Sequence, residues 1–243
     1  MQLSGKTAVI SGGGSGIGEA IAWALAGEGC RVVIAGRNLE KLSQAAARFR
    51  GTPALEVHEL DVADRGSVIR LFQWVEANIG PVHILVNAAG INIKNRMMSE
   101  MQPEQWDQVL AINATGAYNC MHAVLPQMRE RRDGLIINIS STSGKRAWKL
   151  GGVAYSASKF AMTALSTAVA NEEAAHGIRV TAVCPGEVDT PILANRPTPP
   201  TAEHRAKILQ PEDVAAAVLM IAKLPARAHV AEMIIKPTTQ EYV

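Results

Sequence analysis

One stretch near the N-terminus limits what this chain can fold into. Residues 7–18 read Thr-Ala-Val-Ile-Ser-Gly-Gly-Gly-Ser-Gly-Ile-Gly. The first four are β-branched or small apolar residues, which is typical of a strand buried on both faces. Ile17, Ile21 and Leu25 then follow at helical spacing. The sequence therefore predicts a buried strand, a sharp glycine-rich turn and a helix, whose free N–H groups could bind a pyrophosphate.

The spacing of these glycines identifies the kind of turn. Gly12, Gly16 and Gly18 form Gly-x-x-x-Gly-x-Gly, not the Gly-x-Gly-x-x-Gly of the usual dinucleotide fingerprint, and no Gly-Lys-Ser/Thr follows, which excludes a P-loop. Glycines that merely end a strand are the alternative, but five of them in seven residues favour a binding turn. The residues predicted to contact a cofactor here are Gly12, Gly14, Ser15, Gly16, Ile17 and Gly18.

Strand and helix patterns alternate along the rest of the chain. Predicted strands cover residues 7–10, 31–35, 54–60, 82–86, 135–139, 179–183 and 233–235. Predicted helices cover residues 39–49, 65–77, 103–130, 155–175 and 212–223, besides the one that begins near residue 17. Such alternation predicts an α/β fold: a single-domain Rossmann-type, doubly wound parallel sheet with helices on both faces, spanning residues 1–243. Residues 186–210 are proline-rich and are predicted to be irregular.

Composition narrows the class of protein. With 48% hydrophobic and 19% charged residues in 243, the chain is typical of a globular protein. The net charge of +2 argues neither for nor against an anionic partner, but no Lys/Arg run resembles a nucleic-acid patch, so no nucleic-acid partner is predicted. Three widely spaced cysteines and no apolar run of membrane-spanning length indicate a cytoplasmic protein without a membrane partner. Six scattered histidines predict no metal site.

The end of the second predicted strand is informative about the cofactor. An NAD site usually places an acidic residue about 20 residues past the glycines, where it binds the ribose 2′-hydroxyl. Here Gly36 and Arg37 occupy that position. A guanidinium can donate two N–H groups to a 2′-phosphate, so NADP(H) is preferred and NAD(H) remains possible. The alternative is that Arg37 is an ordinary solvated arginine.

A second group of residues points to proton transfer. Tyr155 and Lys159 are four residues apart, hence on one face of a helix. An adjacent ammonium favours the phenolate form of a tyrosine, whose ordinary pKa is about 10. Ser141 lies at the end of the preceding predicted strand. A carbonyl that is being reduced needs a proton donor at its oxygen, which Tyr155 could supply. A half-buried tyrosine beside a solvated lysine is the alternative.

Together these motifs resemble the short-chain dehydrogenase/reductase family over most of the chain. The glycine turn matches the family's Thr-Gly-x-x-x-Gly-x-Gly, with Ser11 in place of threonine. Residues 87–90, Asn-Ala-Ala-Gly, match Asn-Asn-Ala-Gly, and Ala88 in place of the second asparagine predicts slightly weaker support of the central sheet. Residues 140–144 match Ser-Ser-x-x-Gly, and residues 185–190 match the element that holds the nicotinamide carboxamide.

The resemblance implies hydride transfer between a nicotinamide and a carbonyl carbon. It implies that Ser141 orients the carbonyl oxygen and that Tyr155 donates or accepts the proton. Lys159 would bind the nicotinamide ribose and stabilise the phenolate, and Asn113 would hold a proton-relaying water. Without the resemblance, Asn113 reads only as a satisfied core amide. The other implied cofactor contacts are Arg37, Asn38, Asp61, Val62, Asn87, Ala88, Ala89, Gly90, Pro185, Gly186, Val188 and Thr190, together with Tyr155 and Lys159.

The substrate is less constrained than the chemistry. The resemblance implies that residues 186–210 form a substrate-binding lid within the single domain. A small ketone, aldehyde or 3-hydroxy/3-oxo acid fits the expected reaction. Lys145, Arg146 and Lys149 could receive a carboxylate or phosphate, with Trp148 as an apolar wall. The favoured alternative is a solvated basic loop.

Two further questions concern activity and assembly. A non-catalytic NADP(H)-binding sensor on the same fold is the alternative function, although such a protein would not need all four of Asn113, Ser141, Tyr155 and Lys159. An extended sugar-nucleotide epimerase is disfavoured by the glycine spacing. The helices around residues 106–128 and 160–174 are apolar, which suits the intersubunit helix bundle of the family that the chain resembles. The resemblance thus implies a homotetramer, or else a dimer. The alternative is that these helices only pack on the sheet.

Overall fold

A computed structural model describes residues 2–241. Its centre is a sheet of seven parallel strands in the order β3-β2-β1-β4-β5-β6-β7. The order reverses between β1 and β4, as in a doubly wound fold. The strands are β1 (Thr7–Ser11), β2 (Arg31–Gly36), β3 (Glu56–Glu59), β4 (Val82–Asn87), β5 (Gly134–Ile139), β6 (Ile178–Pro185) and β7 (Glu232–Ile235).

Helices cover both faces of this sheet. They are α1 (Gly16–Gly27), α2 (Leu39–Arg48), α3 (Arg65–Asn78), α4 (Pro103–Leu110), α5 (Gly116–Arg131), α6 (Val153–Glu173), α7 (Ala202–Arg205) and α8 (Pro211–Lys223). Buried side chains of α1, α2 and α8 pack on one face, and those of α3, α5 and α6 pack on the other. The predicted fold class, a doubly wound parallel sheet with helices on both faces, is confirmed.

The apolar strand sequences explain why the sheet is buried on both sides. In β1, Ala8 and Ile10 face one core while Val9 faces the other. Successive side chains of a strand point to opposite faces, so an uninterrupted apolar run suits a central strand. None of the helices in residues 2–241 is long and apolar enough to cross a membrane.

Two predicted segments differ from the observed structure. The helix predicted for residues 103–130 is interrupted by a π-helical turn, Ala111–Thr115, between α4 and α5. This turn was not predicted from the sequence, and π turns often occur at functional sites. The lid predicted as irregular holds a 3₁₀ turn, Pro191–Asn195, and the short helix α7.

A row of buried amides ties the carboxyl ends of the central strands together. The Asn87 side-chain N–H group donates to Asn138 Oδ1 at 2.8 Å, which joins β4 to β5. Asn138 in turn donates to Ser166 Oγ at 2.8 Å, which joins β5 to α6. Asn138 and Ser166 are fully or almost fully buried. These bonds hold the strand ends, and therefore the loops that follow them, in fixed relative positions.

Replacing the middle residue of this row tests its contribution. Asn138→Ala leaves buried polar atoms of Asn87 and Ser166 without their partner, and an unsatisfied buried group costs about 1–3 kcal/mol. We expect the free energy of unfolding, measured by urea titration, to fall by about that amount. The double variant Asn87→Ala/Asn138→Ala removes both partners and is expected to lose less than the sum of the single variants. A change within about 0.5 kcal/mol for Asn138→Ala would contradict this role.

Candidate active site

A cavity of about 610 Å³ opens beyond the carboxyl ends of β1, β4, β5 and β6. This is the position at which doubly wound sheets bind ligands, since the strand order reverses there. Most of the residues predicted from the sequence share this one cavity. Those that line it are Gly12, Ser15, Gly16, Ile17, Gly18, Arg37, Ala88, Ala89, Gly90, Ser141, Tyr155, Lys159, Pro185, Gly186, Val188 and Thr190.

The glycine turn forms one wall of the cavity. Close packing leaves no room for a side chain at three of its positions. Gly12 has a φ of 71°, and a Cβ atom there would lie 2.7 Å from the backbone nitrogen of Ala89. Gly16 has a φ of 55°, and its Cβ would lie 3.0 Å from Thr190 Cγ2. A Cβ at Gly18 would overlap the carbonyl oxygen of Gly12. The N-terminus of α1 is therefore accessible to an anion through bare backbone.

Positive charge lies at the outer end of the same cavity. Arg37 follows β2, and Lys41 lies in the first turn of α2; both line the cavity. Lys41 was not predicted from the sequence, since a lone lysine on an amphipathic helix reads as a solvated face. Asn38 begins this helix, and its Oδ1 accepts a hydrogen bond of 2.9 Å from the Lys41 backbone N–H. The side chain that was predicted as a cofactor contact thus also caps α2.

Other predicted cofactor contacts lie beside or behind the main cavity. Asp61 and Val62 line an adjoining cavity of about 160 Å³, which also reaches Gly12, Arg37 and Gly90. Gly14 packs against Leu42 instead of lining either cavity. Asn87 is buried below the site, where it bonds Asn138. Asp61 and Val62 therefore extend the pocket past the glycine turn, whereas Gly14 and Asn87 support it from behind.

Ser141 and Tyr155 form a polar pair at the inner end of the cavity. Ser141 lies two residues after β5 and caps a 3₁₀ turn, Thr142–Gly144, in which its Oγ accepts from the Ser143 backbone N–H at 3.1 Å. The Tyr155 phenol is hydrogen-bonded to the Ser141 side chain. Burial raises the pKa of Tyr155, while Ser141 and the nearby Arg96 oppose that rise. The phenol is therefore neutral at neutral pH and can donate a proton.

Lys159 is buried one helical turn beyond Tyr155. Its ammonium donates a hydrogen bond of 2.7 Å to the Ile139 carbonyl and lies 5.6 Å from the centre of the Tyr155 ring. The residue is only 4% exposed, and this burial lowers its pKa from 10.5 to about 8. The sequence predicted that Lys159 lowers the pKa of Tyr155. That effect stays a prediction, and the groups that oppose the rise in the pKa of Tyr155 here are Ser141 and Arg96.

Asn113 lies in the π-helical turn and is completely buried. Its Oδ1 accepts from the Ile91 backbone N–H at 2.8 Å, and its Nδ2 donates to the Ile91 carbonyl and to Ser158 Oγ. The side chain thereby fixes the loop after β4 to α6. A Cβ at Gly90 would lie 3.5 Å from Asn113 Oδ1 and 3.6 Å from Lys159 Nζ. The predicted water-holding role of Asn113 stays a prediction.

Arg96 is a cavity residue that the sequence did not predict. It lies in the loop after β4 and belongs to no recognisable motif. Its side chain nevertheless lines the cavity, and the residue is only 6% exposed. The basic loop of residues 145–149, which could have bound an acidic group of the substrate, is placed differently from this expectation. Lys145 pairs with Glu232 on β7 at 2.8 Å. Of residues 145–150, only Trp148 and Leu150 line the cavity. Within residues 2–241, no three His, Cys, Asp or Glu side chains are placed to hold a metal ion.

Known proteins resemble this chain along nearly its whole length. The model of the family described as short chain dehydrogenase matches residues 6–200. An uncharacterized oxidoreductase of Staphylococcus aureus strain USA300 is 36% identical over 236 residues, which cover 97% of this chain and 98% of the relative.

Solved structures share this architecture as well, among them the following two. One is an alcohol dehydrogenase of the archaeon Thermococcus sibiricus in complex with 5-hydroxy-NADP, with a TM-score of 0.87 and 28% identity over 97% of this chain and 98% of the other. The second is the closed form of a serine dehydrogenase in complex with NADP⁺, with a TM-score of 0.89 and 29% identity over 97% and 96% of the two chains.

The pKa of Lys159 gives a test of the ligand-free site. Between about pH 8 and pH 10.5 the unfolded lysine binds a proton that the folded one has released, so the free energy of unfolding rises with pH across that window. Relative to Lys159→Met, we expect the wild-type protein to gain stability there, by at most about 3 kcal/mol. Urea titrations of both proteins at several pH values measure the difference. Parallel stability curves would contradict the burial of a charged lysine.

Proposed function

This chain belongs to the short-chain dehydrogenase family, and we propose that it transfers a hydride between NADP(H) and a carbonyl compound or secondary alcohol, with Tyr155 as the acid and base. The observation that carries the proposal is one shared cavity. The glycine turn lines one side of it, and Ser141, Tyr155 and Lys159 line the other. A dinucleotide bound at the turn would thus reach a tyrosine that can transfer a proton.

The choice of NADP(H) is supported by the shape and charge of the cavity. At Gly12, Gly16 and Gly18, close packing leaves only backbone against a bound group, which suits a pyrophosphate at the N-terminus of α1. Arg37 and Lys41 supply cations where a ribose 2′-phosphate would lie. The alcohol dehydrogenase and the serine dehydrogenase described above, which share this architecture, are complexes with 5-hydroxy-NADP and NADP⁺, respectively.

The proposed chemistry divides between the cofactor and the chain. When bound, the nicotinamide supplies the carbon that gives or takes the hydride. Ser141 donates a hydrogen bond to the substrate oxygen and orients it, while Tyr155 transfers the proton to or from that oxygen. The raised pKa of Tyr155 keeps the phenol protonated at neutral pH, ready for the reductive direction. Lys159, held by the Ile139 carbonyl, would bind the nicotinamide ribose, and Asn113 would position the water that relays protons.

A closing segment and an oligomer belong to the same proposal. Residues 186–210 contribute Glu187, Leu193 and Arg196 to the cavity wall, which suits a lid over a small substrate within the single domain of residues 1–243. Tyr118 on α5 and Phe160 on α6 are 42% and 43% exposed, which suits contact with further copies in a homotetramer, or else a dimer. Light scattering after size-exclusion chromatography would give the number of 25.9 kDa chains.

The acid–base role of Tyr155 is tested by removing one oxygen atom. Tyr155→Phe keeps the ring and loses the proton, so we expect kcat to fall by about 10²–10⁴-fold while the affinity for NADPH stays within about threefold. Absorbance of NADPH follows turnover on a panel of ketones, aldehydes and 3-oxo acids, and fluorescence follows binding. Tyr118→Phe is the matched control. Activity retained in Tyr155→Phe would contradict the acid–base role of Tyr155. NADPH binding without turnover in the wild type would favour the alternative function, a non-catalytic NADP(H)-binding sensor.

The assignment of the 2′-phosphate to Arg37 is tested with two cofactors. Arg37→Ala removes charge-assisted hydrogen bonds of about 1.5–3 kcal/mol, so we expect the Kd of NADPH to rise about 10–100-fold. The Kd of NADH should change little, because it lacks the phosphate. Arg50→Ala is the control, because Arg50 is an exposed arginine beyond the end of α2. Equal losses of NADPH and NADH affinity would contradict the assignment.

A further inference from the structure

Arg96 joins the three loops that surround the inner end of the cavity. It lies on the loop after β4, where its Nε donates to the Ile93 carbonyl at 2.7 Å. Its Nη1 donates to the Leu150 carbonyl at 2.6 Å, on the loop before α6. Its Nη2 donates to the Asn195 carbonyl at 3.0 Å, in the proposed lid. The guanidinium is thereby fixed in one orientation beside the substrate space.

Every hydrogen-bond acceptor of this cation is a neutral carbonyl. A guanidinium has five N–H donors, and three are used, so each terminal nitrogen retains one N–H group. The charged or chargeable groups that act on Arg96 are Arg196 and Tyr155, and Glu187, the acidic residue in the cavity wall, pairs with Arg196 and His204. Within the described residues Arg96 therefore has no carboxylate partner, and burying such a charge costs free energy.

Neutral side chains already connect the same loops, so a charge is not needed for that purpose. Asn195 Nδ2 donates to the Asn92 carbonyl at 3.1 Å, and Asn92 Nδ2 donates to the Gly151 carbonyl at 3.1 Å. These two amides bridge the loop after β4, the loop before α6 and the lid. A buried guanidinium at this position offers something that amides do not offer, namely an oriented positive charge for a planar anion.

We propose that Arg96 binds a carboxylate of the substrate, which makes the enzyme selective for hydroxy acids and their oxo acids over neutral alcohols and ketones. This inference rests on the proposed hydride transfer, since it assigns the substrate end of the same cavity. Arg96 and Tyr155 line the same cavity, so a carboxylate on Arg96 keeps the rest of a small molecule within the space that the phenol borders. Arg96 then determines specificity, whereas Ser141 and Tyr155 act on the reacting oxygen.

The decisive experiment measures binding without turnover. The protein loaded with NADP⁺ is titrated with butyrate and with its neutral isostere butyramide, and thermal shifts give both affinities. We expect the wild type to bind butyrate at least about tenfold more tightly. Arg96→Met should weaken butyrate about 10–100-fold and change butyramide by less than about threefold. Lys149 belongs to the nearby basic loop and does not line the cavity. Lys149→Ala should therefore preserve the preference for butyrate.

Several outcomes would overturn the inference. Equal affinities for butyrate and butyramide in the wild type would do so, and so would an Arg96→Met variant that weakens both ligands alike, as a purely structural arginine predicts. A preference lost in Lys149→Ala and kept in Arg96→Met would assign the carboxylate to the basic loop. Should Arg96→Met not fold, Arg96→Lys keeps the charge and loses the planar fork. It should weaken butyrate alone, about 3–10-fold, and an unchanged preference would again contradict the role.

Turnover separates this inference from the proposed function. The reduction of NADP⁺ is followed with 3-hydroxybutyrate and with its methyl ester, and we expect kcat/KM to favour the acid in the wild type and not in Arg96→Met. Equal turnover of acid and ester would overturn the role of Arg96 while hydride transfer stands. Selective binding of butyrate without turnover of either compound would instead count against the proposed hydride transfer and leave Arg96 as a carboxylate site.

Discussion

The close approach of two backbone turns is the constraint on which this site depends. Gly12 packs so tightly against the backbone of Ala88 and Ala89 that a single added carbon would overlap it. The turn after β1 and the turn after β4 therefore form one continuous wall at the point where the strand order reverses. Ser11 reinforces the contact, since its Oγ accepts a hydrogen bond from the Ala89 backbone N–H. The main cavity and the adjoining one both border this contact.

The inner end of the cavity is built from polar groups that are costly to bury. Lys159 and Arg96 carry charges that are 4% and 6% exposed, and each is bonded only to neutral carbonyl groups. Burial opposes the charged form of both side chains, as their lowered pKa values indicate. Nearby amide rows through Asn87 and Asn113 are rigid and almost completely bonded. The scaffold thus supplies the stability that the site itself gives up.

Much of the fold and part of the site could be read from local patterns. The strands and helices follow apolar periodicity, the family is confirmed by the match over residues 6–200, and the glycine spacing marks the turn because only glycine fits there. Other features leave no local signal. The π turn around Asn113 lies within what reads as one continuous helix, and Arg96 looks like any loop arginine. The sequence made Lys145 a candidate for binding an acidic substrate. Its partner in the structure is Glu232, which lies 87 residues away, and no local pattern shows such a pairing.

The sequence by itself determined the doubly wound sheet, the glycine turn and the spacing of Tyr155 and Lys159, because each depends on residues that are neighbours along the chain. Only the tertiary structure decided which cations face the substrate space and which are paired elsewhere. It brought Arg96 against Leu150 and Asn195, and it set burial against hydrogen bonding at Tyr155. These properties arise from contacts between distant segments, and a guanidinium or phenol acquires its chemistry from the groups that surround it in space.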